Sequence, residues 1–188
     1  MTVSPAVAER ELLASEQIQR TIRRIAHEIV EKHDDLSSLA LVGIHTRGVP
    51  LAQRLHDLIE EFTGTSAPVG ALDVTHYRDD VTPGTRPKRD PAVQPSTRLD
   101  FPIGGKSVVL VDDVLSTGRT IRAAIEAVFD HGRPGRVQLA VLIDRGHREL
   151  PIRPDYVGKN LPTSRQQRVN VHLTEVDGAD RVVLLSAE

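Results

Sequence analysis

The sequence predicts an α/β fold with a mostly parallel central sheet flanked by helices, and three observations support this class. Short aliphatic segments alternate with amphipathic ones along the 188 residues, as strands alternate with helices around a parallel sheet. Hydrophobic residues make up 39% of the chain and aromatic residues only 3%, so the core is aliphatic, as in buried parallel strands. The length is normal for one domain, and we expect residues 1–188 to form a single one.

The composition also excludes several classes of function. The chain has no cysteine, which rules out disulfides, thiolate catalysis and cysteine-ligated zinc. The formal net charge of -2 creates no global cationic field, so any nucleic-acid binding requires a local basic patch. No apolar run approaches ~20 residues and the N-terminus lacks the layout of a signal peptide. We therefore expect a cytoplasmic protein with no membrane partner.

The first half of the chain predicts two helices and two strands. Apolar residues recur at helical spacing after Ser15, which predicts that the first ordered element is a helix with Ser15 as its N-cap. A buried strand, a turn at residues 45–48, an amphipathic helix and a second strand follow. In chain order, the predicted elements are the helix Ser15–His33, the strand Leu39–Ile44, the helix Pro50–Phe62 and the strand Val69–Val74.

The segment 77–100 has a different composition. Prolines at this density exclude a helix or a central strand. Long loops inside compact domains are usually lids or binding loops, so we predict a flexible basic flap at about 77–100. Its prolines are Pro83, Pro87, Pro91 and Pro95, and its basic residues are Arg78, Arg86, Lys88, Arg89 and Arg98.

The second half of the chain contains the clearest patterns. An aliphatic strand is followed by two aspartates, a short polar turn and an amphipathic helix, and glycine and proline residues end that helix. The predicted elements are the strand Ser107–Val111, the helix Thr117–His131, the strand Val137–Ile143 and short late strands at Tyr156–Val157 and Arg181–Leu185.

A candidate ligand site follows the strand Ser107–Val111, because ligands in open α/β sheets bind beyond the carboxyl ends of strands. The amides of residues 116–120 precede a helix, whose first N–H groups lack partners and whose dipole favours an anion. Gly118 allows the backbone to approach that anion closely, and neighbouring hydroxyls add donors. The pattern predicts a phosphate site, in which the carboxylates of Asp112 and Asp113 accept hydrogen bonds from ribose hydroxyls.

The same segment is also compatible with a purely structural role. Two aspartates after a strand can simply cap the next helix, and Ser-Thr-Gly turns are common in α/β loops. Walker ATPases and dinucleotide-binding Rossmann domains are disfavoured, because the chain has neither G-x-x-x-x-G-K-[ST] nor G-x-G-x-x-G.

Residues 109–120, Val-Leu-Val-Asp-Asp-Val-Leu-Ser-Thr-Gly-Arg-Thr, resemble the signature with which type I phosphoribosyltransferases bind 5-phosphoribosyl-1-pyrophosphate (PRPP). The resemblance implies the type I phosphoribosyltransferase fold. It also implies that Asp112 and Asp113 are catalytic and hold the ribose hydroxyls, directly or through water on the Mg²⁺ that accompanies PRPP. The implied remainder of the nucleotide-binding loop is Val114, Leu115, Ser116, Thr117, Gly118, Arg119 and Thr120.

A second segment, Thr46-Arg47-Gly48, resembles the pyrophosphate loop of the same family. In that family the loop often contains a cis peptide bond that does not precede proline. The resemblance implies that Arg47 is catalytic and takes up negative charge on the leaving pyrophosphate. It also implies that Arg78 is the cation with which the flap approaches the site.

Longer parts of the chain resemble the PyrR family of pyrimidine operon regulatory proteins, which are also uracil phosphoribosyltransferases. The resemblance implies that PRPP, uracil and UMP or UTP are ligands, that an mRNA leader is a partner, and that the protein is a homo-oligomer, a dimer or larger. It also implies control of transcription termination (attenuation) or of translation. The segments that carry it are residues 24–28, 43–48, 77–80, 144–151 and 155–160.

The family layout implies a pyrimidine site, in which Arg145 packs on or near the ring and backbone groups near Val169 contact its edge. Hypoxanthine-guanine enzymes carry an aspartate where this chain has Ser116 and a lysine where it has Asp144, and both groups contact the purine. Orotate enzymes need a cation for the substrate carboxylate, which Arg145 could supply. The alternative is therefore a phosphoribosyltransferase for orotate or a purine, without an RNA-binding role.

A basic stripe lies on the first predicted helix, opposite its isoleucines. Such a stripe is the electrostatic requirement for RNA binding in a chain of net charge -2. The alternative is an ordinary solvated helix face, balanced by Glu28 and Glu31. The PyrR resemblance favours RNA binding by Arg20, Arg23, Arg24 and His27, extended by Lys159 and Arg165.

Overall fold

The computed structural model describes residues 7–75, 77–78 and 97–187. Within these ranges strands and helices alternate through most of the chain, as predicted. None of the helices described here has the length and apolar character needed to cross a membrane. The elements are β1 (Val7–Ala14), α1 (Ser15–Glu31), β2 (Leu39–Ile44), α2 (Gly48–Thr63), β3 (Val69–Leu72), β4 (Ser107–Leu115), α3 (Arg119–Asp130), β5 (Arg136–Asp144), β6 (Tyr156–Asn160), β7 (Arg168–His172), α4 (Thr174–Asp177) and β8 (Arg181–Ala187).

The central sheet has five parallel strands in the order β3-β2-β4-β5-β6, which confirms the predicted α/β class. After β2 the chain passes through α2 to β3, whereas after β4 it passes through α3 in the opposite direction to β5. The strand order therefore reverses between β2 and β4. A crevice for a ligand forms at such a point, because the loops that follow the two strands diverge.

Both faces of this sheet are covered by buried aliphatic side chains. Helices α1 and α2 pack on one face, against Leu41, Val109 and Val111. Helix α3 packs on the other face, against Val42 and Leu110. Successive side chains of a strand point to opposite faces, so β2 and the first part of β4 are apolar on both faces and carry no polar alternation.

Strand β4 is longer than predicted. It continues past Val111 to Leu115, because β5 pairs with it as far as Asp144. Pairing with β2 on the other side stops at the pair Gly43 and Val111. The two aspartates therefore lie within the strand, hydrogen-bonded to one neighbour only, and were wrongly placed in the loop that follows it.

The prediction that a helix is the first ordered element was wrong. Strand β1 precedes α1 and pairs antiparallel with β8, at the other end of the chain. The predicted N-cap Ser15 was also wrong, since the capping position is Ala14, whose amide donates to Oε1 of Gln17 at 3.0 Å. Among the described side chains of β1 only Leu13 is buried, so the segment lacks the apolar alternation that would have identified a strand.

A second sheet of three antiparallel strands, in the order β1-β8-β7, accompanies the parallel one. The predicted late strand at residue 181 is confirmed as β8, but β7 and the one-turn helix α4 were not predicted. The one-turn helix and the residues that follow it as far as Asp180 are called the α4 turn below. This turn joins β7 to β8 and lies against the N-terminal half of α2.

The flap prediction falls mostly outside the described residues, which omit 76 and 79–96. Its first residues are tied to α3, because the Tyr77 hydroxyl donates to Asp130 at 2.7 Å and Arg122 donates to the Tyr77 carbonyl at 2.9 Å. Its last residues return to the sheet, where Arg98 forms a bridge with Ala71. One end of the segment is therefore anchored to α3 and the other to β3.

Candidate active site

The acidic pair is the most buried polar feature at the carboxyl edge of the sheet, among the residues that the structure describes. Asp112 is 8% exposed and Asp113 is half-buried. Each carboxylate accepts a hydrogen bond from the amide that follows it, from Asp113 N at 2.9 Å and from Val114 N at 2.8 Å. Burial, and then the charge of Asp113, raise the pKa of Asp112 well above its ordinary value, so a nearby cation or hydrogen-bond donor would favour its ionised form.

Positive groups surround the pair. The charge of Arg78 opposes the rise in the pKa of Asp112, and the charge of Asp113 contributes to a raised pKa of Arg47. Both arginines therefore lie within electrostatic range of the acidic pair. The N-termini of α2 and α3 lie at the same edge, and both present partly positive ends of helix dipoles. The site can accordingly hold a ligand that carries hydroxyls and several negative charges.

The predicted phosphate loop, residues 116–120, connects β4 to α3. Helix α3 begins at Arg119 and not at Thr117, because Gly118 has a φ of 94°, in the left-handed region that favours glycine. The Thr117 hydroxyl accepts from the amide of Arg119 at 3.3 Å. The side chain of Arg119 pairs with Glu149, to which its Nε donates at 2.7 Å.

The predicted pyrophosphate loop lies directly against the end of β4. The peptide bond between His45 and Thr46 is cis, as the family resemblance implied. A Cβ added at Gly48 would lie 2.2 Å from the carbonyl oxygen of Val111, and one at Gly43 would lie 2.4 Å from the carbonyl oxygen of Gly48. These two glycines allow the loop and the strand to approach each other closely, next to Asp112.

Arg47, from this loop, is paired with Asp177 of the α4 turn. Nε of Arg47 donates to Oδ2 of Asp177 at 3.0 Å and Nη2 donates to Oδ1 at 2.7 Å. The sequence interpretation did not include Asp177 among the site residues. The two residues are 130 positions apart, and no local pattern connects them.

The segment 144–152 supports the phosphate loop, chiefly through Arg148. Its guanidinium donates to the Ser116 carbonyl at 2.8 Å, to Asp144 at 3.0 Å and to the Ile152 carbonyl at 2.9 Å. Burial alone would raise the pKa of Asp144, but hydrogen bonds from Arg148 and the Gly146 amide lower it more, so Asp144 is ionised. No role for Arg148 was predicted, although it lies within a segment that carried the PyrR resemblance.

The two predicted base-binding residues lie in adjoining segments. The amide of Arg145 donates to the Leu115 carbonyl at 3.0 Å, which places it beside the phosphate loop. Its side chain donates to the Gln167 carbonyl at 2.8 Å and to the Thr163 hydroxyl at 3.2 Å. Val169 is 8% exposed in β7, two residues beyond Gln167. The structure therefore brings Arg145 and the start of β7 together at one side of the loop.

The predicted RNA-binding residues do not form one free stripe. Arg23 pairs with Glu61 at 3.1 Å and lies 4.8 Å above the Phe62 ring, on which His27 stacks at 3.9 Å. Arg20 is exposed and lines an open cleft of about 580 Å³ together with Arg23.

Arg24, the next residue of α1, contacts β6 and not α2. It donates to the carbonyls of Gly158 at 2.6 Å and Val157 at 3.1 Å, and it pairs with Glu28. These contacts place it beside the exposed Lys159 of β6, whereas Arg165 is exposed in the loop between β6 and β7. The structure therefore joins Arg24 with Lys159 at β6, whereas Arg23 and His27 contact Phe62 of α2.

The chain is similar to known proteins over most of its length. The phosphoribosyl transferase domain model matches residues 9–175. Proteins named bifunctional protein PyrR are 57% identical in Thermus aquaticus, over 95% of this chain and 96% of the relative, and 55% identical in Acetivibrio thermocellus, over 97% of each.

Solved structures show the same architecture. The hypoxanthine phosphoribosyltransferase of Trypanosoma cruzi has a TM-score of 0.70 at 20% identity, over 96% of this chain and 98% of that chain. At this identity the likeness concerns the fold alone, and it confirms the predicted type I phosphoribosyltransferase fold. Together with the family match and the identity to curated relatives, these findings show that the chain belongs to the phosphoribosyl transferase family and, within it, to the bifunctional PyrR proteins.

Proposed function

We propose that this protein is a uracil phosphoribosyltransferase, which forms UMP and pyrophosphate from uracil and PRPP, and that it is also an RNA-binding regulator of pyrimidine genes that responds to UMP or UTP. The observation that carries the enzymatic part is the meeting of three segments at one crevice. These are the acidic pair Asp112 and Asp113, the loop 116–120 and the loop 46–48. The names of the curated relatives support the bifunctional part.

In this proposal each segment contacts a different part of PRPP. The amides of residues 116–120 hold the 5-phosphate at the N-terminus of α3, where the helix dipole favours an anion. Asp112 and Asp113 accept hydrogen bonds from the ribose hydroxyls. Arg47 and the N-terminus of α2 hold the pyrophosphate, whose negative charge increases as it leaves.

The transition state of this substitution carries positive charge on the ribose, since the bond from C1′ to pyrophosphate breaks early. The carboxylates of Asp112 and Asp113 stabilise that charge through their proximity to the ring. Their oxygen donors also fit a hard cation. Among the described residues no three acidic or histidine side chains are arranged to hold a metal ion, so substrate oxygens and water would complete the coordination of Mg²⁺. Mg²⁺ bound with PRPP would neutralise charge on the pyrophosphate.

Two contacts favour a pyrimidine over a purine as the acceptor base. Asp144 stands where the hypoxanthine-guanine enzymes carry a lysine that contacts the purine, and in this chain it is committed to Arg148. Ser116 stands where those enzymes carry an aspartate, and its carbonyl accepts from the same arginine. A base bound here would lie near Arg145 and the start of β7.

The test is a direct comparison of four bases. Pyrophosphate release from PRPP is measured with uracil, orotate, hypoxanthine and guanine under identical conditions. We expect turnover with uracil and much slower release with the other three bases. Faster release with orotate or a purine would identify a different phosphoribosyltransferase and refute the uracil assignment.

The regulatory part of the proposal rests on the basic residues of α1 and β6, and on a homo-oligomer that would present several copies of them. Filter binding of the native leader RNA of its own pyrimidine genes, with and without UMP or UTP, tests it. We expect an affinity that rises with nucleotide and falls with salt. Light scattering measures the oligomeric state. An RNA affinity that is independent of nucleotide and no greater than that of an unrelated RNA would refute this part.

A further inference from the structure

The contact between Arg47 and Asp177 joins the two sheets of the molecule. Arg47 precedes α2 at the carboxyl edge of the parallel sheet, and Asp177 belongs to the α4 turn, which connects two strands of the antiparallel sheet. Both oxygens of the carboxylate accept from the guanidinium, at 3.0 and 2.7 Å. This bidentate geometry restrains both the position and the plane of the guanidinium, which a single contact would not do.

Asp177 is itself held in place. Its Oδ2 accepts from the amide of Leu173 at 2.9 Å, and Nδ1 of His172 lies 3.8 Å from Oδ1. Its side chain is 17% exposed. The hydrogen bond from Arg47 is the main cause that lowers the pKa of Asp177 to about 2, so the carboxylate is ionised at neutral pH. Arg47 therefore faces a fixed, charged partner.

The guanidinium keeps donors for a second anion. Arginine has five N–H donors arranged in a fork, and Asp177 occupies the edge formed by Nε and Nη2. Within the described parts of the chain, no hydrogen bond involves Nη1 of Arg47, and the side chain is 32% exposed. The charge of Asp113 also acts on Arg47, which places the guanidinium near the acidic pair.

We propose that Asp177 is a positioning residue that holds Arg47 by one edge, so that its other edge meets the pyrophosphate of PRPP. The inference deepens the proposed function and rests on it. Arginine loses much side-chain freedom when it is ordered, and an arginine that is ordered beforehand loses less when the ligand binds. The negative charge of Asp177 opposes this gain, and the proposal requires the gain from ordering to exceed that repulsion.

The α4 turn does not depend on Asp177 for its attachment. Arg54 of α2 donates to Asp180 at 2.7 and 2.8 Å and to Glu175 at 2.7 and 2.6 Å. These contacts fasten the turn to α2 on either side of Asp177. Substitution of Asp177 should therefore release Arg47 without detaching the turn. Glu175 is a matched control, because its loss leaves Arg54 paired with Asp180.

The test compares two ligands that share the site but differ in the group that Arg47 would contact. Inorganic pyrophosphate and UMP are titrated calorimetrically, with Mg²⁺, into the full-length wild type, Asp177→Asn and Glu175→Gln. We expect Asp177→Asn to weaken pyrophosphate about tenfold and to raise KM for PRPP similarly, with UMP affinity and melting temperature unchanged. Glu175→Gln should resemble the wild type. In an Arg47→Ala background, Asp177→Asn should cause no further loss, because its effect passes through that arginine.

Three results would overturn the role of Asp177. These are an equal loss of pyrophosphate and UMP, an unchanged or tighter pyrophosphate affinity, and a further loss in the Arg47→Ala background. Wild-type turnover tests the proposed function separately. A wild type that releases no pyrophosphate with any base refutes that function, whereas normal wild-type turnover with unchanged pyrophosphate affinity in Asp177→Asn overturns only the positioning role.

Discussion

The close contact between Gly48 and β4 provides the sharpest test of how the site is built. In Gly48→Ala, the new Cβ would lie 2.2 Å from the carbonyl oxygen of Val111 and 3.2 Å from its carbonyl carbon. Both partners are backbone atoms, so no side chain can rotate away. The loop 46–48 must instead move from the strand that carries Asp112.

The size of the effect follows from that distance. Cβ atoms are essentially never found within 3.0 Å of another heavy atom outside their own neighbours, so the loop has to shift by about 1 Å. Overpacking of this kind costs about 1–3 kcal/mol of folding free energy. A displacement of about 1 Å between groups that contact the same substrate reduces turnover roughly 100-fold. We therefore expect a stability loss in that range and a much larger loss of activity.

Steady-state pyrophosphate release with uracil and PRPP measures the activity, and thermal unfolding measures the stability. Gly104→Ala is the matched control, since a Cβ at Gly104 would have no heavy atom within 4 Å. It should behave as the wild type in both measurements. Gly48→Ala protein with normal kcat and normal KM for PRPP would refute the argument that the loop must touch β4 to work.

Three further outcomes are expected for the acidic pair, the basic residues of α1 and the α4 turn. Asp113→Asn should lower kcat with uracil about 100-fold while the melting temperature stays unchanged. The reason is that this half-buried carboxylate contributes to catalysis and little to the core. Near-normal turnover would contradict this prediction. Arg23→Ala with Arg24→Ala should weaken RNA binding and reduce the log-log salt slope by about 2, with uracil turnover unaltered; an unchanged slope would show that α1 does not meet RNA phosphates. Arg54 lowers the pKa of Asp180 to about 2, below its unfolded value of 3.8, so this pair stabilises the fold fully above about pH 4 and progressively less as the pH falls toward 2. Urea unfolding across that pH range should show a smaller decline in Asp180→Asn than in the wild type, and parallel curves would refute the assignment.

Much of the fold was predictable because it is encoded by short-range pattern. The strand Leu39–Ile44 was predicted with its observed ends, since six consecutive buried positions leave an apolar run that is visible in the sequence. The break between β4 and α3 was predictable for the same reason, because glycine and short polar residues mark such turns. The binding of a phosphate there stays a prediction. The strand β1 was missed, since it is stabilised by pairing with residues more than 160 positions away and is largely exposed.

By itself the sequence determined the parallel α/β class and singled out the acidic pair and the loop between β4 and α3. Only the tertiary structure decided which groups surround them. Arg47 pairs with Asp177 of the α4 turn, and Arg148 donates to the Ser116 carbonyl. The predicted basic stripe on α1 is not continuous, because Arg23 pairs with Glu61 of α2 and Arg24 with the Gly158 carbonyl of β6. The pattern of apolar residues shows which positions of one helix or strand are buried. The partner of a charged side chain depends instead on how distant elements pack, and that information has no local signature in the chain.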